Sequence, residues 1–264
     1  MEWAGSSGPA RESIGRLDGD DVTADQWSGE ASPGSAPPVI GEGAGSPVGL
    51  SLRNVSKTYH GAAKPLFEGL SFDLQRSGRI ALLGRNGQGK STLIKMLGGA
   101  IPPSSGVIEW RMSSSWPIGF AGGFQGSLTG NDNIRFLSRI YERDYREVHD
   151  KVESFAELGK ALTQPVKFYS SGMRARLAFG LSLAIDFDCY LIDELVAVGD
   201  ARFQRKCGEE LFEHRGHRAF IMASHDMSIV KERCDQALII EGGTCKVFDD
   251  INEAVEIYTW LRSS

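Results

Sequence analysis

Gly84-Arg85-Asn86-Gly87-Gln88-Gly89-Lys90-Ser91 decides how the chain is read. The short apolar run Arg79-Ile80-Ala81-Leu82-Leu83 precedes it, and Ser91 to Leu97 follows with apolar residues at helical spacing. Strand, glycine-rich turn, helix is the order that builds a phosphate-binding loop, and the eight residues fit G-x-x-x-x-G-K-[ST]. The glycines let backbone N–H groups turn inward around a phosphate, and the helix presents its positive end to the same point. Lys90 would then reach the β- and γ-phosphates and Ser91 would ligate Mg²⁺. Gly84, Arg85, Asn86, Gly87, Gln88, Gly89 and Thr92 complete the expected cradle.

A second element stands downstream. Asp188-Cys189-Tyr190-Leu191-Ile192-Asp193-Glu194 is an apolar strand closed by two adjacent carboxylates. In an open α/β sheet, ligands sit at the carboxyl ends of the strands. Asp193 would hold Mg²⁺ through water and Glu194 would polarise an attacking water as general base. Alone, such a pair is more often the start of a solvated loop; its order after the phosphate loop turns the reading toward chemistry. Between the two lies Tyr169-Ser170-Ser171-Gly172-Met173-Arg174, opening a helix with Met173, Leu177 and Leu181 expected on one side. By its residues alone this is either an ordinary N-cap or a second anion-binding helix start.

Working outward, Leu50 to Val55 alternates as a half-buried strand does, and Leu66 to Leu74 gives another strand pattern. Asn131 to Lys160 reads as helical, with strands again at Cys189–Ile192, Ala219–Ala223 and Ala237–Ile240. Strands alternating with helices predict an α/β fold with a largely parallel core sheet. In the last 39 residues after His225, Ile251, Ala254, Val255, Tyr258 and Leu261 share one face of a closing helix.

Charge divides the chain at about residue 47. Residues 1–47 sum to −6 and are rich in Gly, Ser and Pro, so the remainder of a chain of net charge −5 is close to neutral. We expect residues 1–47 to form a disordered acidic tail, either merely solvated or a docking arm through Trp3 or Trp27, with Val48 an alternative first residue. The near-neutral body argues against a nucleic-acid partner. The start of the chain lacks the pattern of a secretory signal, and no apolar run nears the ~18 residues of a spanning helix. Cys189, Cys207, Cys234 and Cys245 form neither a zinc pattern nor a disulfide framework, which fits a reducing compartment.

Five motifs in order, the phosphate loop, Gln125, Tyr169 to Met173, Asp193-Glu194 and Ser224-His225, make residues from about 50 onward resemble the nucleotide-binding subunit of an ABC transporter. The resemblance implies a P-loop NTPase of ABC ATPase type, with an antiparallel β part and a helical subdomain at about 126–185 within a domain spanning 48–264. It implies ATP and Mg²⁺, bound by a head-to-tail homodimer in which Ser170 and Gly172 of one copy contact the γ-phosphate on the other. It further implies that Tyr59 stacks on adenine, that Gln125 couples Mg²⁺ and water to a membrane partner, and that His225 contacts the γ-phosphate. Ala197-Val198-Gly199-Asp200 matches the loop that crosses the dimer interface.

The signature departs from L-S-G-G-Q, with Ser171 and Met173 in place of glycine and glutamine. Together with Trp116-Pro117-Ile118-Gly119 and Ala121-Gly122-Gly123-Phe124-Gln125-Gly126-Ser127-Leu128-Thr129-Gly130, this variant is similar to the ATPase of capsular polysaccharide exporters. That implies a peripheral subunit on the cytoplasmic face of a bacterial inner membrane, paired with a separate permease that moves lipid-linked polysaccharide. O-antigen and teichoic-acid exporters are the related alternatives, and a soluble ABC ATPase acting on ribosomes or DNA is a more distant one. The short C-terminal segment leaves no room for a glycan-reading domain, so cargo choice would rest with the permease.

Overall fold

The computed structural model describes residues 47–118, 125–193 and 201–263. Tail residues 1–46, Gly119, Ala121–Phe124, Glu194 and Ala197–Asp200 lie outside the described residues.

Two sheets carry the fold. Strands β1 (Val48–Lys57), β2 (Phe67–Gln75) and β4 (Ser105–Trp110) form an antiparallel sheet in the order β2-β1-β4. The larger sheet holds β3 (Arg79–Leu83), β5 (Ser114–Ile118), β6 (Cys189–Asp193), β7 (Ala219–Ala223), β8 (Gln236–Glu241) and β9 (Thr244–Phe248). Its order is β5-β6-β7-β3-β8-β9, parallel except for the β8–β9 hairpin. Strand alternation divides the core in two. Ile80, Leu82, Leu191 and Ile221 point to one cluster, with Leu50, Leu52 and Phe67 of the antiparallel sheet and Leu93 and Ile94 of α1 (Lys90–Leu97). Ala81, Leu83, Tyr190, Ile192, Phe220 and Met222 point to the other. Strands covered on both faces need apolar side chains at every position, which is why β3, β6 and β7 read as continuous apolar runs.

The second cluster is built by helices. These are α2 (Gly130–Ile140), α3 (Tyr145–Ala156), α4 (Ser171–Ala184), α5 (Ala201–Gly208), α6 (Met227–Arg233) and α7 (Ile251–Ser263), with a π-helical turn at Glu209–His214. Thr129 and Asp132 form a capping box that fixes the start of α2. Met173, Leu177 and Leu181 of α4 meet this cluster together, and Leu177 to Ala184 are buried without a break, so the second half of the helix is enclosed on all sides. Phe179 of α4 packs between Phe155 and Phe203, with ring centroids at 6.3 and 6.1 Å.

Three observed strands have no counterpart in the sequence reading, and all three are sheet edges. β4 is largely exposed, β5 contains Pro117, and β9 is only half buried. Edge strands face water and lose the apolar run that marks a central strand; proline is tolerated only there.

Because Phe179 is fully buried, Phe179→Ala is expected to lower unfolding stability by about 3–5 kcal/mol. Urea denaturation followed by circular dichroism measures it through a lower midpoint at constant slope.

Candidate nucleotide site

The phosphate loop leaves the carboxyl end of β3 at a point where no side chain fits. A Cβ on Gly84 would stand 2.5 Å from the Ile240 carbonyl oxygen. Gly89, the N-cap of α1, has φ 110°, and a Cβ there would also meet Leu66 at 2.9 Å. Between these points Lys90 is 8% exposed. Its Nζ donates to the Gly84 carbonyl at 2.6 Å and the Arg85 carbonyl at 3.1 Å, so the ammonium sits over the start of the loop. One residue on, Ser91 Oγ donates to Asp193 Oδ1 at 2.9 Å and joins the loop to the end of β6. Hydroxyl and carboxylate oxygens side by side form the hard donor set that suits Mg²⁺. Tyr59 is 49% exposed, beyond the end of β1, and its hydroxyl shares a hydrogen bond with Thr92 Oγ1 at 3.0 Å. Tyr59, Asn86, Gly87, Lys90, Ser91 and Thr92 thus line one cleft of about 400 Å³.

Side chains from the far end of the chain hold the loop from outside. Arg85 Nε donates to Glu241 Oε1 at 2.8 Å, and the Gly242 N–H donates to Gln88 Oε1 at 2.9 Å. The side chains of Arg85 and Gln88 therefore engage the β8–β9 turn. Tyr258 of α7 is buried, and its hydroxyl donates to the Gly84 carbonyl at 3.2 Å.

His225 lies on the same edge of the sheet. Asp193 is opposite Ala223 in the β6–β7 register, and His225 is two residues further along. The Ser224 hydroxyl accepts from the Asp226 N–H, and Asp226 caps α6 through Ser228 and Ile229, which fixes the turn that exposes His225. Gln125 is exposed, and buried Asn133 grips its backbone through both N–H and carbonyl at 3.3 and 3.4 Å.

The signature segment and the Gln125 segment are one hydrogen-bonded strip. Lys167 N–H donates to the Gly126 carbonyl at 2.8 Å, Val166 N–H to the Leu128 carbonyl at 2.9 Å, and Thr129 bridges to Pro165. Tyr169 anchors it: its buried hydroxyl donates to the Ala161 carbonyl at 2.6 Å, burial pushes its pKa up, and a Cβ on Gly130 would meet that hydroxyl at 2.6 Å. Ser170 caps α4 by accepting from the Met173 N–H at 3.2 Å. Gly172 is different from the packed glycines, because a Cβ there would find only Ser170 Oγ, at 3.9 Å.

Sequence reasoning missed Asn133, Asp226, Glu241 and Tyr258. Asp226 carried a legible signal, an acidic residue just before a helix. Glu241 and Tyr258 carried none, since 156 and 174 residues separate them from their partners on the loop. A larger cleft of about 640 Å³ between α5, the π-helical turn and α6 combines Phe212 and Ile229 with the Arg233–Glu213 and Arg233–Glu232 pairs and includes no part of the phosphate loop. The four cysteines are free, and burial pushes the thiols of Cys207 and Cys234 up to about 12 and that of Cys245 up to about 11, so all three are neutral. Among the described residues, no cluster of three His, Cys, Asp or Glu forms a metal site, and no helix is long and apolar enough to cross a membrane.

Comparison with known proteins bears on the fold and the family. A family described as ABC transporter matches residues 67–197. The ATP-binding protein BexA of Haemophilus influenzae is 51% identical over 211 residues, covering 79% of this chain and 97% of that protein. The capsule polysaccharide export ATP-binding protein CtrD of Neisseria meningitidis serogroup B is 50% identical, covering 80% and 99%. Among solved structures, an ATP-binding subunit of an ABC transporter superposes with a TM-score of 0.67 at 22% identity, covering 80% of this chain and 94% of that one, a likeness of fold. The two-sheet fold, the glycine cradle ending β3 and half identity across nearly the full length of two relatives together place this chain in the ABC transporter family, among its ATP-binding subunits.

Proposed function

We propose that the chain is the ATP-hydrolysing subunit of an exporter of capsular polysaccharide, acting at the cytoplasmic face of a bacterial inner membrane with a separate permease. The cargo rests on one observation: CtrD, named for capsule polysaccharide export, is half identical and covered over 99% of its length. The domain would run from residue 48 to 264, with its helical subdomain at about 126–185 and residues 1–47 a separate tail.

The phosphate loop from Gly84 to Thr92 would wrap the phosphates, Lys90 would pair with the β and γ oxygens, and Tyr59 would stack on adenine. Ser91, Asp193 and Gln125 would hold Mg²⁺, which when bound offsets the negative charge on the phosphate oxygens. Glu194, next in sequence after Asp193, would accept a proton from the attacking water on its carboxylate, and His225 would orient the γ-phosphate. The open space beside Gly172 supports a role in trans. Among the described residues nothing requires a glycine there, whereas close approach of a second copy's nucleotide would. Gln125, tied by the strip to Ser170, would pass the closing of two copies to the permease.

Two outcomes follow. Glu194→Gln is expected to bind ATP while losing at least about 10²-fold in phosphate release, the typical contribution of a general base, and Lys90→Ala to lose binding itself. Titration with a fluorescent ATP analogue and steady-state phosphate release separate the two. Tagged Glu194→Gln, recovered with ATP from gently solubilised membranes of its host, is expected to bring down a multi-spanning permease; ribosomal or DNA-bound partners instead would overturn the export reading.

A further inference from the structure

We propose that Tyr258 is a positioning residue of the phosphate loop, a reserve donor that keeps the Gly84 carbonyl satisfied when Lys90 turns to phosphate. The inference rests on the reading of Gly84–Ser91 as the ATP site and adds to it a residue from the C-terminal helix.

The geometry is a shared acceptor. The buried carbonyl oxygen of Gly84 receives Lys90 Nζ at 2.6 Å and Tyr258 Oη at 3.2 Å. A carbonyl has two lone pairs and takes both donors, but Lys90 is the one with a second duty. An ammonium that pairs with phosphate oxygens loosens its hold on the carbonyls of Gly84 and Arg85. A buried acceptor deprived of its donor is costly. Tyr258, itself 2% exposed and fixed on α7 between Ala254, Val255 and the core, does not move with the nucleotide and retains its bond. Through this contact the C-terminal helix, which shares no sequence motif with the loop, sets how freely Lys90 is released. Arg85 on Glu241 and Gln88 on the Gly242 N–H hold the rest of the loop independently, so loss of one hydroxyl leaves the loop in place.

Tyr258→Phe removes only that hydroxyl, and two readouts test the idea. In nucleotide-free protein the thermal midpoint of Tyr258→Phe is expected to stay near wild type, because Lys90 still occupies the carbonyl. In the Lys90→Ala background the same change strips the last of these two donors and is expected to lower the midpoint by about 3 °C more than it does alone. In the presence of Lys90, Tyr258→Phe is expected to raise the ATP dissociation constant roughly fivefold, the equivalent of one neutral hydrogen bond, and to raise KM by more than it lowers kcat. Equal thermal shifts in the two backgrounds would overturn the proposal, as would wild-type ATP affinity in Tyr258→Phe. Failure of the wild-type chain to bind ATP would instead remove the site reading, while the thermal cycle would still decide whether the two donors share the carbonyl.

Discussion

The fold depends on strand β3 being buried on both faces and therefore being obliged to release its polar loop at one edge only. Ile80 and Leu82 serve one core while Ala81 and Leu83 serve the other, so neither face of the strand has room for a charged group. The backbone N–H groups that the sheet no longer pairs gather beyond Leu83, where Gly84 passes against Ile240 and Gly89 begins α1. β6 and β7, parallel neighbours in the same sheet, bring Asp193 and His225 to that edge by register alone. One steric rule thus collects residues from three distant parts of the chain at a single point.

A different kind of organisation governs the helical part. There the strip from Gln125 to Ser170 is held by backbone hydrogen bonds, by Asn133 and by the Tyr169–Gly130 contact, so the exposed Gln125 and the N-terminus of α4 are linked along the strip. Tyr169 holds the strip from beneath: its hydroxyl needs a carbonyl, Ala161 supplies it, and Gly130 leaves the space. Ser170, exposed, and Gly172, partly exposed, stand at the start of α4 on this strip, which suits residues whose work lies on another molecule.

The central strands, the phosphate loop and the carboxylate at the end of β6 were legible because each is specified locally, by an unbroken apolar run or by glycines at fixed spacing. The edge strands β4, β5 and β9 were not, since exposed positions break the apolar run in β4 and β9, and two serines and Pro117 break it in β5. Within the site, the motif residues were readable and their supports were not. Asn133 looks like any helical asparagine until its side chain is seen on the backbone of Gln125, and Tyr258 looks like one more core residue of an amphipathic helix. A hydrogen bond across 174 residues leaves no pattern in a sequence.

Two copies sharing each ATP is the claim on which the account turns, and mixing two inactive variants tests it most directly. Lys90→Ala disables the phosphate loop of its own chain, while Gly172→Glu, placed where the chain itself leaves open space, disables only what that chain offers to its partner. Each variant alone is predicted to release little phosphate. An equimolar mixture would regain roughly a quarter of the wild-type sites, because half the dimers formed at random carry one intact pairing. A mixture as inactive as its components, or full turnover by Gly172→Glu alone, would contradict the shared site.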